Sequence, residues 1–112
     1  MTQNNKPIHR IEYYDKEKTK KHFESWKLNG KYHREDGPAF IEYRNDGSIW
    51  SKHYCINGKF HREDGPAFIE YNSNGNIASE RYYINGIESS KEEYLKLISL
   101  QNRIKVLLND TE

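Results

Sequence analysis

The sequence predicts an all-β chain with a helical end: antiparallel β-hairpins repeated into an extended twisted sheet, then one C-terminal amphipathic helix. Three observations predict it. Gly30 to Tyr43 and Gly58 to Tyr71 are one fourteen-residue stretch set 28 residues apart, GKYHREDGPAFIEY and GKFHREDGPAFIEY, differing only at Tyr32 and Phe60. Asn29-Gly30, Asn57-Gly58 and Asn85-Gly86 fall in the same phase, and Asn-Gly between alternating runs is a strong hairpin signal. Beyond Gly86 the apolar spacing turns helical. A fixed period of this length marks a repeat array, in which each unit buries its apolar face only against its neighbours.

Taken in order, 8–28 reads as a degenerate first repeat, 29–56 and 57–84 as full repeats, and 85–112 as a final turn with a capping helix. Ile11-Glu12-Tyr13 matches Ile41-Glu42-Tyr43 and Ile69-Glu70-Tyr71. The first copy is two residues longer from there to the next Asn-Gly, and the charged turn Asp15 to Lys21 takes the excess. Its counterparts, Asn45-Asp46-Gly47-Ser48 and Asn72-Ser73-Asn74-Gly75-Asn76, carry glycine for a tight reversal. The long strand of each unit ends in Trp26-Lys27-Leu28, Tyr54-Cys55-Ile56 or Tyr82-Tyr83-Ile84. Neighbouring repeats should set Trp26 beside Tyr54 and Tyr82, and Leu28 beside Ile56 and Ile84.

Pro38 and Pro66 fix the backbone and donate nothing to a ladder, so Arg34 to Pro38 and Arg62 to Pro66 are shaped connections. The strands from Ala39 and Ala67 to Tyr43 and Tyr71 follow. Ser90-Lys91-Glu92-Glu93 is a capping box, and Tyr94, Leu97, Ile98, Ile104 and Leu108 predict a helix over 91–108. It closes the last exposed edge or face of the sheet, or else meets a target or a second copy.

Composition narrows the function. Only 34% of residues are apolar and 31% are charged, which suits a thin sheet rather than a thick core. The net charge of +1 lacks the basic footprint of a nucleic-acid binder. Cys55 is the only cysteine, the polar start lacks a signal-peptide core, and no run is long enough to span a membrane. The expectation is a cytoplasmic protein without cofactor or metal.

The repeated motif, His33, Arg34, Glu35, Asp36, Gly37 and Pro38 with His61, Arg62, Glu63, Asp64, Gly65 and Pro66, holds residue types that bind metals or move protons. A catalytic constellation is asymmetric, whereas these recur in each copy. The motif is therefore read as structural: Asp36 and Asp64 bond turn amides, and Arg34 and Arg62 pair with carboxylates. His53 and Cys55 share a strand face, yet Arg81 and Tyr83 stand at their places in the next copy, so a packed thiol is expected. Protein-binding candidates are Lys16, Lys18, Lys20 and Lys21, Trp50, and Arg34 with Arg62. Tyr13, Tyr14, Phe40, Phe68 and Tyr71 join Trp50 as aromatics for a sheet face, fit for protein contacts or base stacking.

The pattern Y-x-I-N-G-K-x-H-R-E-D-G-P-A-x-I-E-Y resembles the variant repeat related to MORN repeats that occurs in proteins of phages, giant viruses and some bacteria; the resemblance covers about residues 11–86. The ending I-N-G-x-x-S-S-K-E-E-Y resembles the exit of such arrays into a C-terminal helix. The resemblance implies stacked hairpins, an interaction or scaffold role, and no catalytic residues. The expected function is non-catalytic binding of another protein. The viral members imply a sharper form, a phage-encoded inhibitor of a bacterial defence protein such as a CRISPR nuclease, acting in the host cytoplasm. The alternatives are a nucleic-acid or nucleotide-binding module, a self-assembling structural protein joined through the helix or a sheet edge, and a hydrolase using the motif histidines.

Overall fold

The computed structural model describes residues 5–109. Strands β1 (Ile8–Tyr13), β2 (Lys21–Leu28), β4 (Phe40–Tyr43), β5 (Ile49–His53), β8 (Phe68–Tyr71), β9 (Ile77–Ile84) and β10 (Ile87–Ser89) form one antiparallel sheet in that order. β3 (Lys31–Tyr32) pairs with the end of β2, and β6 (Cys55–Ile56) pairs with β7 (Lys59–Phe60) in a small separate ladder. One helix, α1 (Lys91–Asn109), follows. The chain is thus all-β with a C-terminal helix, as its repeats require. Its long strand is continuous in the first and third copies but broken at Tyr54 in the second, between β5 and β6.

Each hairpin carries the same devices. Asn29, Asn57 and Asn85 have φ of 53°, 51° and 50°, and the glycines after them 79°, 80° and 81°, the double left-handed turn that Asn-Gly accommodates. A bulge interrupts the ladder at Glu12/Tyr13, Glu42/Tyr43 and Glu70/Tyr71. The opposite turns are closed by Tyr14 N donating to Lys20 O, Arg44 N to Ser48 O, and Asn72 N to Asn76 O. The first bracket is two residues wider, as the repeat arithmetic predicts. Lys18, at φ 60°, stands where Gly47 and Gly75 stand in the later copies.

The slab measures 57 × 45 × 20 Å, so its sheet has two accessible faces rather than a thick core. Register assigns them. Arg10, Ser25, Phe40, His53, Phe68 and Arg81 stand opposite one another across six strands, and the row Glu12, Phe23, Glu42, Ser51, Glu70 and Ser79 shares their face. The row between, Ile11, Glu24, Ile41, Lys52, Ile69 and Glu80, points the other way. Burial is concentrated at Ala39, Ile41, Ala67 and Ile69, with Cys55, Tyr82 and Tyr94.

Two expectations are corrected here. Trp26, Tyr54 and Tyr82 are not laddered ring to ring, nor are Leu28, Ile56 and Ile84 on adjacent strands, because β4 lies between β2 and β5, and β8 between β5 and β9. Helix α1 does not lay an apolar stripe on the sheet. Of its residues only Tyr94 is buried; Leu97, Ile104 and Leu108 are exposed, while Ile98 and Gln101 are half-buried. Half of the capping box forms: Glu93 N donates to Ser90 Oγ at 3.2 Å.

Candidate interaction faces

The first face is built by the motif. Arg34 lays its guanidinium 3.9 Å from the Trp26 ring and donates to Asp36 Oδ1 at 3.0 Å and to the Pro38 carbonyl at 3.2 Å. Arg62 repeats this on Tyr54 at 3.8 Å, with Asp64 at 2.9 Å and Pro66 O at 3.0 Å. In the third copy Ser90 stands where the arginine would be, and the helix supplies Tyr94 instead. Its ring packs on Tyr82 at 4.8 Å; its hydroxyl donates to Arg62 O at 2.5 Å and accepts from Gly65 N at 3.2 Å. A Cβ on Gly37 would come 2.9 Å from the Arg34 guanidinium carbon, so the glycine makes room for the stacked arginine.

The motif histidines join repeats. His33 Nδ1 accepts from Asn57 N and His61 Nδ1 from Asn85 N, each at 3.0 Å, so each of the two full copies holds the turn that follows it. Tyr32 O and Phe60 O accept from Gly58 N and Gly86 N, both at 2.8 Å. Asp36 and Asp64 brace the stacked arginines through their side chains, where sequence reasoning had them bonding turn amides. Arg34 and Arg62, proposed for partner binding, are committed inside the fold. Among the described residues no group of three or more His, Cys, Asp or Glu is arranged to hold a metal.

Glu24 is buried on this face. Tyr43 donates to it, His9 Nε2 lies 3.1 Å from Oε1, and Lys21 Nζ lies 3.7 Å from Oε2. Burial opposes its charge, yet these three partners hold its carboxyl below the usual range. Burial, then the bond to Glu24, pushes the Tyr43 hydroxyl up. Lys21 is thereby tied to Glu24. Lys16, Lys18 and Lys20 remain exposed on a turn organised by Asp15, which accepts from Thr19 N at 3.1 Å and Lys20 N at 3.0 Å. Trp50 is 42% exposed, with the Arg44 guanidinium 5.1 Å away.

The second face carries a ridge of rings running across the strands. Contacts pass from Tyr14 to His22 (4.0 Å), Phe23 (3.7 Å), Phe40 (5.5 Å), His53 (5.0 Å), Phe60 (5.6 Å) and Tyr83 (4.8 Å). Tyr32 abuts Phe40 at 5.5 Å and Phe68 abuts His53 at 5.1 Å. At the β1–β2 end a hollow of about 900 Å³ opens over this face, with Arg10, Lys27, Phe23, Tyr32 and Phe40 in its walls. His53 bonds Ser51 Oγ at 3.1 Å, and burial keeps its ring on the neutral side. Burial pushes the Cys55 thiol up to about 11, so it is a packed group without thiolate character.

Phe40 and Phe68, singled out in the sequence, lie on this ridge, whereas Tyr71 sits under Lys52 with the motif face. The structure also divides the candidates by position. The Lys16–Lys20 turn and Trp50 lie at the end where β1 and β4 finish, and Arg34 and Arg62 at the Asn-Gly end. Phe23, Tyr32, His53, Phe60 and Tyr83 had not been recognised as one surface. Strand parity from the buried Ile41 and Ile69 would have found Phe40, Phe68 and His53, but the contacts of Tyr32 and Phe60 depend on the short ladders after each Asn-Gly turn. The chain matches no family model, no curated protein and no solved structure.

Proposed function

We propose that the chain is a non-catalytic module that binds another protein through its aromatic ridge. One observation carries this reading: a continuous line of rings, half-buried from His22 to Tyr83, crosses one face, while the motif loops and Tyr94 of the helix are engaged on the other. Aromatic residues concentrate binding energy because each covers much area with few rotors, and they dominate interface hot spots. The exposed lysine turn and Trp50 flank the sheet at one end and supply selectivity. The resemblance to phage and viral repeat proteins favours a bacterial partner, with inhibition of a defence protein such as a CRISPR nuclease as its sharpest form.

The test is affinity capture from bacterial lysate with the intact chain and with a Tyr32→Ser/Tyr83→Ser variant, followed by a high-salt wash and mass spectrometry. The reading predicts one protein retained by the first and lost with the second. Retention by both, or loss of every ligand at high salt, would count against it. Nucleic acid released by salt would instead favour an electrostatic ligand.

A further inference from the structure

The two ends of the sheet are the two halves of a junction that the chain already makes twice. Inside the sheet, a long strand receives the FIEY strand of the next copy. β2 receives β4 with Glu24 opposite Ile41, and β5 receives β8 with Lys52 opposite Ile69. At the far end β9 has β8 on one side. On its other side, among the described residues, β10 covers only Tyr82–Ile84 and leaves Ile77 to Arg81 without a strand. The vacant place belongs to another FIEY strand, but the chain has turned into α1 there, and α1 docks back on Tyr82 and the Arg62–Gly65 loop.

At the near end β1 is such a strand. It carries Arg10-Ile11-Glu12-Tyr13 in place of Phe-Ile-Glu-Tyr, and among the described residues nothing pairs with its outer side. The backbone facing agrees. Ala67 N donates to Arg81 O, so Arg81 faces β8 and Glu80, its neighbour, faces outward. Glu80 occupies the place of Glu24 and Lys52, and Ile11 that of Ile41 and Ile69.

We propose that the open edge of β9 accepts β1 of a second copy, with Glu80 opposite Ile11, in the register of the two inner junctions. The contact is head to tail, each copy offering a different edge, so it propagates from copy to copy, as an open filament or a ring according to the rotation per step. It goes beyond the ridge reading and uses none of the ridge partner's contacts. The junction has two mismatches. Ile8 and His9 of β1 fall opposite Tyr83 and Tyr82, which β10 already pairs, so only Arg10 to Tyr13 enter the ladder, as the inner strands enter it only from Phe40 and Phe68. Arg10 stands opposite Arg81 where the inner junctions set phenylalanine against Ser25 or His53. Glu88 already holds Arg81 through bonds of 2.9 and 3.0 Å, so the opposed charges are partly offset. Like charges directly opposite weaken a ladder, and the assembly is correspondingly concentration-dependent.

The test is sedimentation velocity of the purified chain over a range reaching about millimolar, the regime of weak association. Wild type is expected to show a mass that rises with concentration. Glu80→Pro removes an outward N–H on β9, and Ile11→Pro one on β1; each should be monomeric with unchanged circular dichroism, since neither N–H serves the ladder inside the chain. Mixed together, they should give a one-to-one dimer, because the first keeps its β1 edge and the second its β9 edge. Arg10→Phe, which restores the inner residue, should tighten association about tenfold. A wild type and an Arg10→Phe variant that both stay monomeric would overturn the proposal. So would a dimer that survives both proline variants, which would place the contact on the helix.

Discussion

The two faces of this sheet are made from alternate residues of the same strands, yet they do different work. On the motif face the repeated polar groups have partners within the chain: arginines lie on aromatic rings, aspartates hold the arginines, and Tyr94 closes the row where the array stops. On the ridge face the rings touch one another and remain half-buried. A thin sheet cannot bury both sides. The internal bracing is on one face, and the proposed partner meets the other, so substitutions on the two faces should separate stability from binding.

The largest expected effect is on the braced face. Tyr94→Ala removes the ring from Tyr82 and both hydroxyl bonds, and should cost about 3 kcal/mol in urea unfolding. Tyr94→Phe, which keeps the ring, should cost about 1 kcal/mol. If the alanine variant unfolds like wild type, the helix is no part of the cooperative unit. Arg62→Ala comes next, at about 1–2 kcal/mol of thermal stability, because Tyr54 loses its cover and the Pro66 carbonyl its donor. Arg62→Lys should recover little of it, since an ammonium cannot stack flat.

Acid should act on the same face. The folded-state value of Glu24 is depressed, so its contribution is complete above the unfolded value near 4.5 and is lost as pH falls through the lower folded value. Glu24→Gln should flatten that part of the pH–stability curve; an unchanged curve would mean that Tyr43 and His9 do not hold the charge. The smallest effect is expected on the ridge. Tyr32→Ser should cost less than about 1 kcal/mol in stability while weakening the partner complex at least about tenfold. A large loss of stability with intact binding would invert the assignment of the two faces.

Much of this was legible from the sequence. The 28-residue period and the Asn-Gly turns announce the hairpins, and the excess of two residues falls in the Asp15–Lys21 turn as counted. The structural reading of His33, Arg34, Asp36 and their copies followed from their recurrence. Their partners did not. That Asp36 braces Arg34 rather than a turn amide depends on how the Gly-Pro bend folds back over Trp26. The ridge was hidden for a related reason: Phe40 and His53 meet across strands, so their contact is set by register and not by spacing along the chain. The helix was misjudged in its docking because apolar spacing gives a face but not a neighbour. Only Tyr94 has a place prepared for it.

The bonds from His33 to Asn57 and from His61 to Asn85 carry a consequence for how such a chain can change over generations. Each full copy offers an acceptor to the turn amide of the unit after it, and nothing in either bond refers to position along the chain. A duplicated unit inserted in frame would find both needs already met by its neighbours. The breadth of the slab is therefore a quantity that gene duplication can adjust in whole steps, widening or narrowing the footprint without redesigning a single contact.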